Sequence, residues 1–364
     1  MDSLRYGVIG ARDTGICGEH IRSILRLPDA ELVAVCDTNE EHLQRAAQLV
    51  DAPVARYIDY QEMLARESLD AVVIATPNFT HEAIVLNVFA AGAHVLCEKP
   101  LAPALAGCDA IIEAGRRANR LLQVGLHRRY NRLFERLQGL IDAGELGAPC
   151  MMWSHEFRGD WAADRPYDDP ERGRINWRFY QDLSGGSLVE KNCHDFDVFN
   201  WFAASEPTRV VASGGLAAYQ GRETIDHAIV MIDYANGFKA MLQLGLFVPH
   251  GFHGRYEGLI GTEGSVKIYE GTRELYQYFR DRPAEVHYAD RDEAKGHGHG
   301  MYRQHVAFAA CIREGRQPFA NGEAGRASVA VAVAAEESIR TGEPVSLTTA
   351  PWTARAAALA SAAR

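Results

Sequence analysis

The chain has 364 residues, 47% hydrophobic and 24% charged, with a formal net charge of −10. That length exceeds one ordinary core and implies two domains, and the composition is that of a globular chain, which excludes general disorder. The acidic balance excludes a general nucleic-acid or anionic-membrane binder, which needs a basic face, although the local cluster Arg128, Arg129 and Arg132 could still hold a phosphate.

In chain order, MDSLRYGVIG enters a strand-like run without a basic segment leading into a long apolar core. No signal peptide is expected, and no apolar stretch reaches bilayer length. RYGVIG, ELVAVCD (31–37), DAVVIATP (70–77), AHVLCEKP (93–100) and LLQVG (121–125) read as strands buried on both faces. Between them HIRSILRL, EEHLQRAAQL, HEAIVLNVFAAG and LAGCDAIIEAGRRA read as helices. This alternation predicts a doubly wound parallel α/β (Rossmann) domain over 1–125, with a second domain over 126–364.

The first strand opens into GARDTGICGEH (10–20), a glycine-rich turn before a helix, where a phosphate can approach the backbone and the positive helix end. Gly10, Gly15 and Gly18 are spaced five and three apart, so the turn is longer than G-x-G-x-x-G. Gly10, Arg12, Thr14 and Gly15 are the candidate phosphate contacts. Asp37 ends the second strand, where a carboxylate accepts ribose hydroxyls and repels a 2′-phosphate; no arginine follows it, which favours NAD over NADP. The competing reading of Asp37 is a solvated strand-end aspartate. Thr76, Pro77, Asn78 and His81 follow another strand at its carboxyl end, where ligands of open sheets bind, and they also suit a helix cap.

After residue 126 the pattern changes. A helix over 130–143 ends at Gly144, a strand follows at 149–158, and then FRGDWAADRPYDDPERGRINWR reads as an irregular loop. The stretch SGGSLVEKNCHDFD begins a helix on which Glu190 and His194 lie four apart and share a face, continued by Asp197. Lys191 and Asp195 share another face, expected to be solvated. From 207 to 288 strands and turns dominate, with Asn-Gly in YANGF as a hairpin cue. Helices at 301–314 and 323–341 return the chain. This predicts an α+β domain: a large, mostly antiparallel sheet with helices on one face. Ile229, Met231, Met241, Leu242 and Leu244 are expected to serve in part a subunit interface on the uncovered face of a homodimer or homotetramer. Seven cysteines, an odd number without metal-ligand spacing, favour a reducing, cytoplasmic compartment.

AGAHVLCEKP, with ATPNFTH before it and SGGSLVEKNCH after it, resembles the glucose–fructose oxidoreductase / inositol dehydrogenase (Gfo/Idh/MocA) family. GELG (144–147), HVAFAACIREGRQP and EESIRTGEPVSL extend the resemblance nearly end to end. It implies a nicotinamide dinucleotide in the N-terminal half and interconversion of a secondary alcohol and a ketone on a sugar, sugar derivative or cyclitol. Glu98 and Lys99 fall on the family's EKP motif, often with a cis bond before the proline, here Lys99–Pro100. Glu190 stands where the family usually has aspartate, His194 at its histidine, and Gly125 and Arg129 in its G-x-x-x-R segment. The sequence departs from the family in the lengthened glycine turn and in Glu190 with Asn192, where many members have Asp and Gly.

Alcohol oxidation needs a base for the hydroxyl proton and a donor at the oxygen. His194 is expected as the base and Lys99 as the hydroxyl-orienting donor, or the reverse, with Glu190 holding the imidazole or touching substrate. Candidate cofactor contacts extend to Glu98, Lys99 and Arg129. Candidate substrate contacts are His127, Trp161, Tyr167, Trp177, Arg178 and Tyr302, with Arg165, Asp168, His297 and His299 beyond them. HGHG (297–300) reads as a glycine-flanked loop near substrate rather than a metal site, and no metal is expected. Two other readings share the fold: an NAD-dependent glycoside-cleaving enzyme that oxidises transiently, and a non-catalytic NAD sensor.

Overall fold

A computed structural model describes residues 3–160, 166–289 and 300–348. Two compact units divide the chain between Asn131 and Arg132 and again between Arg326 and Ala327.

The first unit alternates β1 (Leu4–Ile9), α1 (Gly15–Leu25), β2 (Ala30–Cys36), α2 (Glu40–Ala47), β3 (Ala55–Tyr57), α3 (Tyr60–Arg66), β4 (Ala71–Ile74), α4 (His81–Ala90), β5 (His94–Cys97), α5 (Leu105–Ala118) and β6 (Leu122–Val124). The strands form one parallel sheet in the order β3-β2-β1-β4-β5-β6. This is the doubly wound fold, whose strand order reverses beside β1. The unbroken apolar runs have their cause here: all four residues of β4 are buried, because helices cover both faces. Asn39 and Asp59 cap α2 and α3 by accepting backbone N–H groups.

The segment from Gly300 to Arg326 also groups with this unit, whereas the sequence reading assigns everything after 125 to the second domain. The reason is packing. Phe308, Ala309 and Cys311 join Tyr6, Val8, Ile21, Ile24, Val35 and Leu96 in one buried cluster.

The second unit begins with α6 (Arg132–Asp142) and β7 (Pro149–Phe157), followed by a hairpin of β8 (Pro166–Asp169) and β9 (Gly173–Asn176). Then come α7 (Gln181–Ser184), α8 (Ser187–Ala203), β10 (Pro207–Gly215), β11 (His227–Tyr234), β12 (Lys239–Gly245), β13 (Gly254–Gly261), β14 (Gly264–Tyr269), β15 (Glu274–Phe279) and β16 (Glu285–Tyr288). Past α9 (Met301–Glu314), α10 (Gly322–Thr341) and β17 (Val345–Ser346) return the chain to this unit. Nine strands form one sheet, β16-β15-β14-β13-β7-β12-β11-β10-β17. Every pairing is antiparallel except β7 with β12. Asn236-Gly237 closes the β11–β12 hairpin, with Tyr234 N–H donating to Phe238 O at 3.0 Å.

Strand parity separates the two faces of this sheet. Val230, Ile232, Leu242 and Leu244 are buried, whereas Ile229 and Met231 are 50% and 52% exposed. The expected apolar interface set therefore mixes two faces. Leu242 and Leu244 point with the residues the helices cover, because they alternate with Met241. The segment expected as an irregular loop is in part the β8–β9 hairpin. Asp169 Oδ1 organises its turn by accepting N–H from Glu171 (2.9 Å) and Arg172 (2.8 Å).

Candidate functional site

In the first unit, the loops at the carboxyl ends of neighbouring strands are joined to one another. Gly10 follows β1 with φ +85°, and a Cβ there would lie 2.6 Å from Ala75 O, so only glycine lets the two loops pass this closely. The turn continues through Arg12, Thr14 and Gly15, all exposed, into α1. Asp37 follows β2, and its Oδ1 accepts Asn39 N–H (2.9 Å) and lies 3.2 Å from His42 Nδ1. Backbone open at a helix start, a close-approach glycine and this carboxylate fit a dinucleotide: phosphates at the turn and ribose at Asp37.

His81 ties the next two loops. Its Nδ1 lies 2.9 Å from Pro100 O and its Nε2 3.1 Å from Thr76 O. The ring is fully buried, and burial pushes its pKa down against the pull of the two carbonyls. The neutral ring donates to one of them at a time. Asn78 is buried, and Thr80 Oγ1 lies 2.7 Å from both Thr76 Oγ1 and Pro77 O, with its one proton available to the carbonyl and its lone pairs to the Thr76 hydroxyl.

The Lys99–Pro100 bond is cis, as the resemblance implies. Glu98 is buried before it, accepting Lys99 N–H on Oε2 at 3.1 Å, with Oε1 2.9 Å from His20 Nε2. Burial alone would raise the Glu98 pKa. The hydrogen bond from His20 and the charges of His20, Lys99 and His127 outweigh it and hold the carboxyl at about 2. A Cβ at Gly125 would lie 2.6 Å from Glu98 Oε1, which explains a glycine there. Arg129 is buried, donates to Phe319 O at 3.1 Å and lies over the Phe319 ring. Tyr302 is not gathered with these loops: its ring lies under Arg26, the cap at the far end of α1 from the glycine turn.

In the second unit, α8 carries Glu190, His194 and Asp197, all buried. The guanidinium of Arg178, a candidate substrate contact, pairs with Glu190 Oε1 at 2.7 Å. Trp177 is buried beside it, with Arg178 over the ring. Tyr167 lies on the β8–β9 hairpin and Asp168 beside it is exposed. Trp161, Arg165, His297 and His299 lie outside the described residues.

Lys191 and Asp195 do not form a solvated face. Lys191 Nζ pairs with Glu156 Oε1 at 2.7 Å, and Arg255 bonds both Glu156 Oε2 and Asp195 Oδ2. Asn192 Nδ2 bridges the same two carboxylates at 3.2 and 2.9 Å, and Ser154 Oγ donates to Asp195 Oδ1 at 2.9 Å. β7 and β13 supply Glu156 and Arg255, partners invisible from the helix alone. Burial pulls the Lys191 pKa down to about 8 against Glu156, whose own pKa is driven far below the carboxylate range by Arg255, Lys191 and Arg158 despite burial.

The N-terminus of α8 is capped from another helix. Gly186 has no side chain to cap with, and Glu336 Oε1 of α10 accepts Leu188 N–H at 2.9 Å. Burial pushes Glu336 up to about 7, opposed by that N–H. The folded chain therefore holds a proton that the unfolded chain releases between pH 4.5 and about 7, and stability falls as pH rises through this window. Glu336→Gln, which keeps the acceptor and removes the charge, is expected to melt roughly 2–6 °C above wild type at pH 8. The gap narrows toward pH 5; a constant gap across pH contradicts the assignment.

His20, His305, Glu156, Arg255 and Glu336 are not singled out as site residues from the sequence, although His20 ends the glycine-turn segment and His305 and Glu336 open HVAFAACIREGRQP and EESIRTGEPVSL. Among the described residues there is no cluster of three or more His, Cys, Asp or Glu side chains that could hold a metal, and no helix is long and apolar enough to cross a membrane.

Comparison with known proteins places this architecture. Residues 4–126 match the family described as "Oxidoreductase family, NAD-binding Rossmann fold", and residues 138–347 match its "C-terminal alpha/beta domain". The chain is 26% identical over 350 residues to myo-inositol 2-dehydrogenase of Thermotoga maritima, covering 94% of this chain and 98% of the relative. It is 25% identical over 374 residues to 2,7-anhydro-N-acetylneuraminate hydratase of Mediterraneibacter gnavus, covering 93% and 95%. Levoglucosan dehydrogenase in complex with NADH and L-sorbose shares the fold with a TM-score of 0.84 at 21% identity, covering 95% of this chain and 99% of that one. The two matched halves, the six-stranded parallel sheet and the EKP loop thus agree: the chain belongs to the Gfo/Idh/MocA family of NAD-binding oxidoreductases.

Proposed function

We propose that the protein interconverts a secondary alcohol and a ketone on a sugar, sugar derivative or cyclitol, with His194 and Lys99 acting on one hydroxyl group. The observation that carries this reading is the Lys99 loop: it leaves the carboxyl end of β5 in the NAD-binding unit, anchored by Glu98. Bound NAD supplies the hydride acceptor. His194 takes the hydroxyl proton, and Lys99 holds the oxygen and offsets its developing charge. Glu190, paired to Arg178, orients the His194 side of α8. The inositol and levoglucosan dehydrogenases among the similar proteins support a polyol substrate. His127, Tyr167 and Trp177 remain proposed substrate contacts.

The test is a panel of monosaccharides, inositols and glycosides with NAD and NADP, read at the nicotinamide absorbance. Net NADH formation with a polyol is expected. A hydratase among the relatives favours one second reading, cleavage or hydration without net redox; release of product without NADH would establish it. Binding of NAD with no turnover on any substrate would leave the sensor reading. Asp37→Ala is expected to weaken NAD binding about tenfold, ~1.4 kcal/mol, and to narrow the preference over NADP; unchanged affinities would remove Asp37 from the site.

We further propose that the exposed sheet face bearing Ile229 and Met231 joins copies of this chain into a homodimer or homotetramer. A monomer in light scattering contradicts it. The seven free cysteines agree with a reducing, cytoplasmic setting.

A further inference from the structure

Three buried side chains, from α9, α1 and the loop after β5, form a chain that ends at the Lys99 backbone. His305 of α9 places Nε2 at 2.8 Å from His20 Nδ1. His20 of α1 places Nε2 at 2.9 Å from Glu98 Oε1. His20 and His305 are fully buried and Glu98 nearly so. Glu98 then accepts Lys99 N–H.

The protons in this chain can be assigned from its ends. Glu98 is an acceptor only, so the His20 nitrogen facing it carries a proton. The other ring nitrogen faces His305. Nδ1 of His305 has no hydrogen-bond partner among the described residues. A buried N–H without an acceptor is rarer than a buried lone pair without a donor, so the His305 proton belongs on Nε2. It therefore donates into His20 Nδ1, which places the His20 proton on Nε2, against Glu98.

We propose that His305 sets the tautomer of His20, and that the pair, through Glu98, positions the Lys99 loop for the reaction proposed above, on which this inference rests. His20 and His305 are positioning residues; neither is placed at the reacting atoms. Without the donor at 305, His20 can carry its proton on Nδ1 and turn a lone pair toward Glu98. Two acceptors then face each other in a buried site, and Glu98 relieves the conflict by binding a proton or turning away from Lys99 N–H.

Among the described residues, the ionisable groups that act on Glu98 or feel its charge include His20 and Cys17 on α1, His81 on α4, Cys97 on β5, Lys99 on its own loop and His127 after β6. Burial pushes both thiols up, Cys17 to about 12, and pushes His81 down, so these three stay neutral near pH 7. Burial and His20 push His305 well below its ordinary range, so it too is neutral there.

The test uses the full chain with bound NADH and ¹⁵N-labelled histidine. Long-range ¹H–¹⁵N spectra, with His20→Gln and His305→Gln to identify signals, are expected to show both rings neutral and protonated on Nε2 at pH 7.5. A His20 ring protonated on Nδ1, or on both nitrogens, overturns the proposal. In turnover with myo-inositol, or with the polyol the panel selects, His305→Leu is expected to lower kcat about tenfold or more and to move its acid limb up by about one pH unit or more. The Kd for NADH, read by fluorescence, changes less than about threefold, because the phosphate and ribose contacts lie elsewhere. His305→Gln, which retains an N–H donor, restores kcat and the profile. An unchanged kcat and pH profile in His305→Leu also overturns the proposal, and if that variant does not fold, the wild-type spectrum decides alone. A wild-type protein that reduces NAD with no polyol removes the dehydrogenase reading, while the tautomer result stands or falls by itself.

Discussion

His194→Ala is expected to lower kcat by about 10²–10⁴-fold, the range a positioned general base supplies, while leaving the Kd for NAD nearly unchanged. The imidazole belongs to α8 in the second unit, and the dinucleotide features all lie on the first. Binding and proton transfer are thus separable by mutation. Lys99→Met, which keeps the aliphatic stem and removes the ammonium, is expected to cost about 10²–10³-fold, because a donor at a developing alkoxide acts mainly in the transition state. The loss appears in kcat more than in KM. Stopped-flow measurement of NADH formation with NAD titrated separately checks both. Near-normal turnover in either variant removes that residue from the chemistry.

Glu156→Gln is expected to have the largest effect on stability. Glu156 is fully buried and faces Lys191, Arg158 and Arg255. Removing its charge breaks the buried pairings with Lys191 and Arg255 from one side, and breaking a buried ion pair by removing one partner costs about 3–5 kcal/mol. The unit holding this sheet is then expected to melt roughly 10 °C or more below wild type. The pair Glu156→Met with Lys191→Met removes one charge of each sign and is expected to recover much of the loss. Calorimetry separates the outcomes. A Glu156→Gln melting temperature equal to that of wild type means the cluster contributes no net stability. The same cluster pins α8 to β7 and β13, so activity in Glu156→Gln is expected to fall even below its new melting temperature.

The pattern of success and failure in the sequence follows from how each feature is built. Parallel strands buried on both faces write themselves as unbroken apolar runs, so Ala71–Ile74 and His94–Cys97 were legible. β3 was not, because its three residues are half-exposed and carry no apolar run. The β8–β9 hairpin was hidden by polar residues on both its faces, although Asp169 and Gly173 mark its turn. Lys191 and Asp195 looked solvated because charges on a helix are usually so. Their partners lie far away in sequence: Arg255 is 60 residues from Asp195. Leu242 and Leu244 were grouped with Met241 by hydrophobicity, when parity along β12 decides which face each takes. Short motifs read in order were enough to single out Glu98, Lys99, Glu190 and His194 as candidates. The contacts of His305 with His20, of His20 with Glu98 and of Arg178 with Glu190 become visible only once the chain is folded.

The central claim is the proposal that Lys99 and His194 act on one substrate hydroxyl group. A crystal structure of the protein with NADH and a polyol identified by the substrate panel tests it most directly. The account predicts one substrate hydroxyl oxygen within about 2.6–3.2 Å of both Lys99 Nζ and a ring nitrogen of His194, with its carbon facing the nicotinamide. A substrate touching only one of the two side chains, or neither, contradicts it.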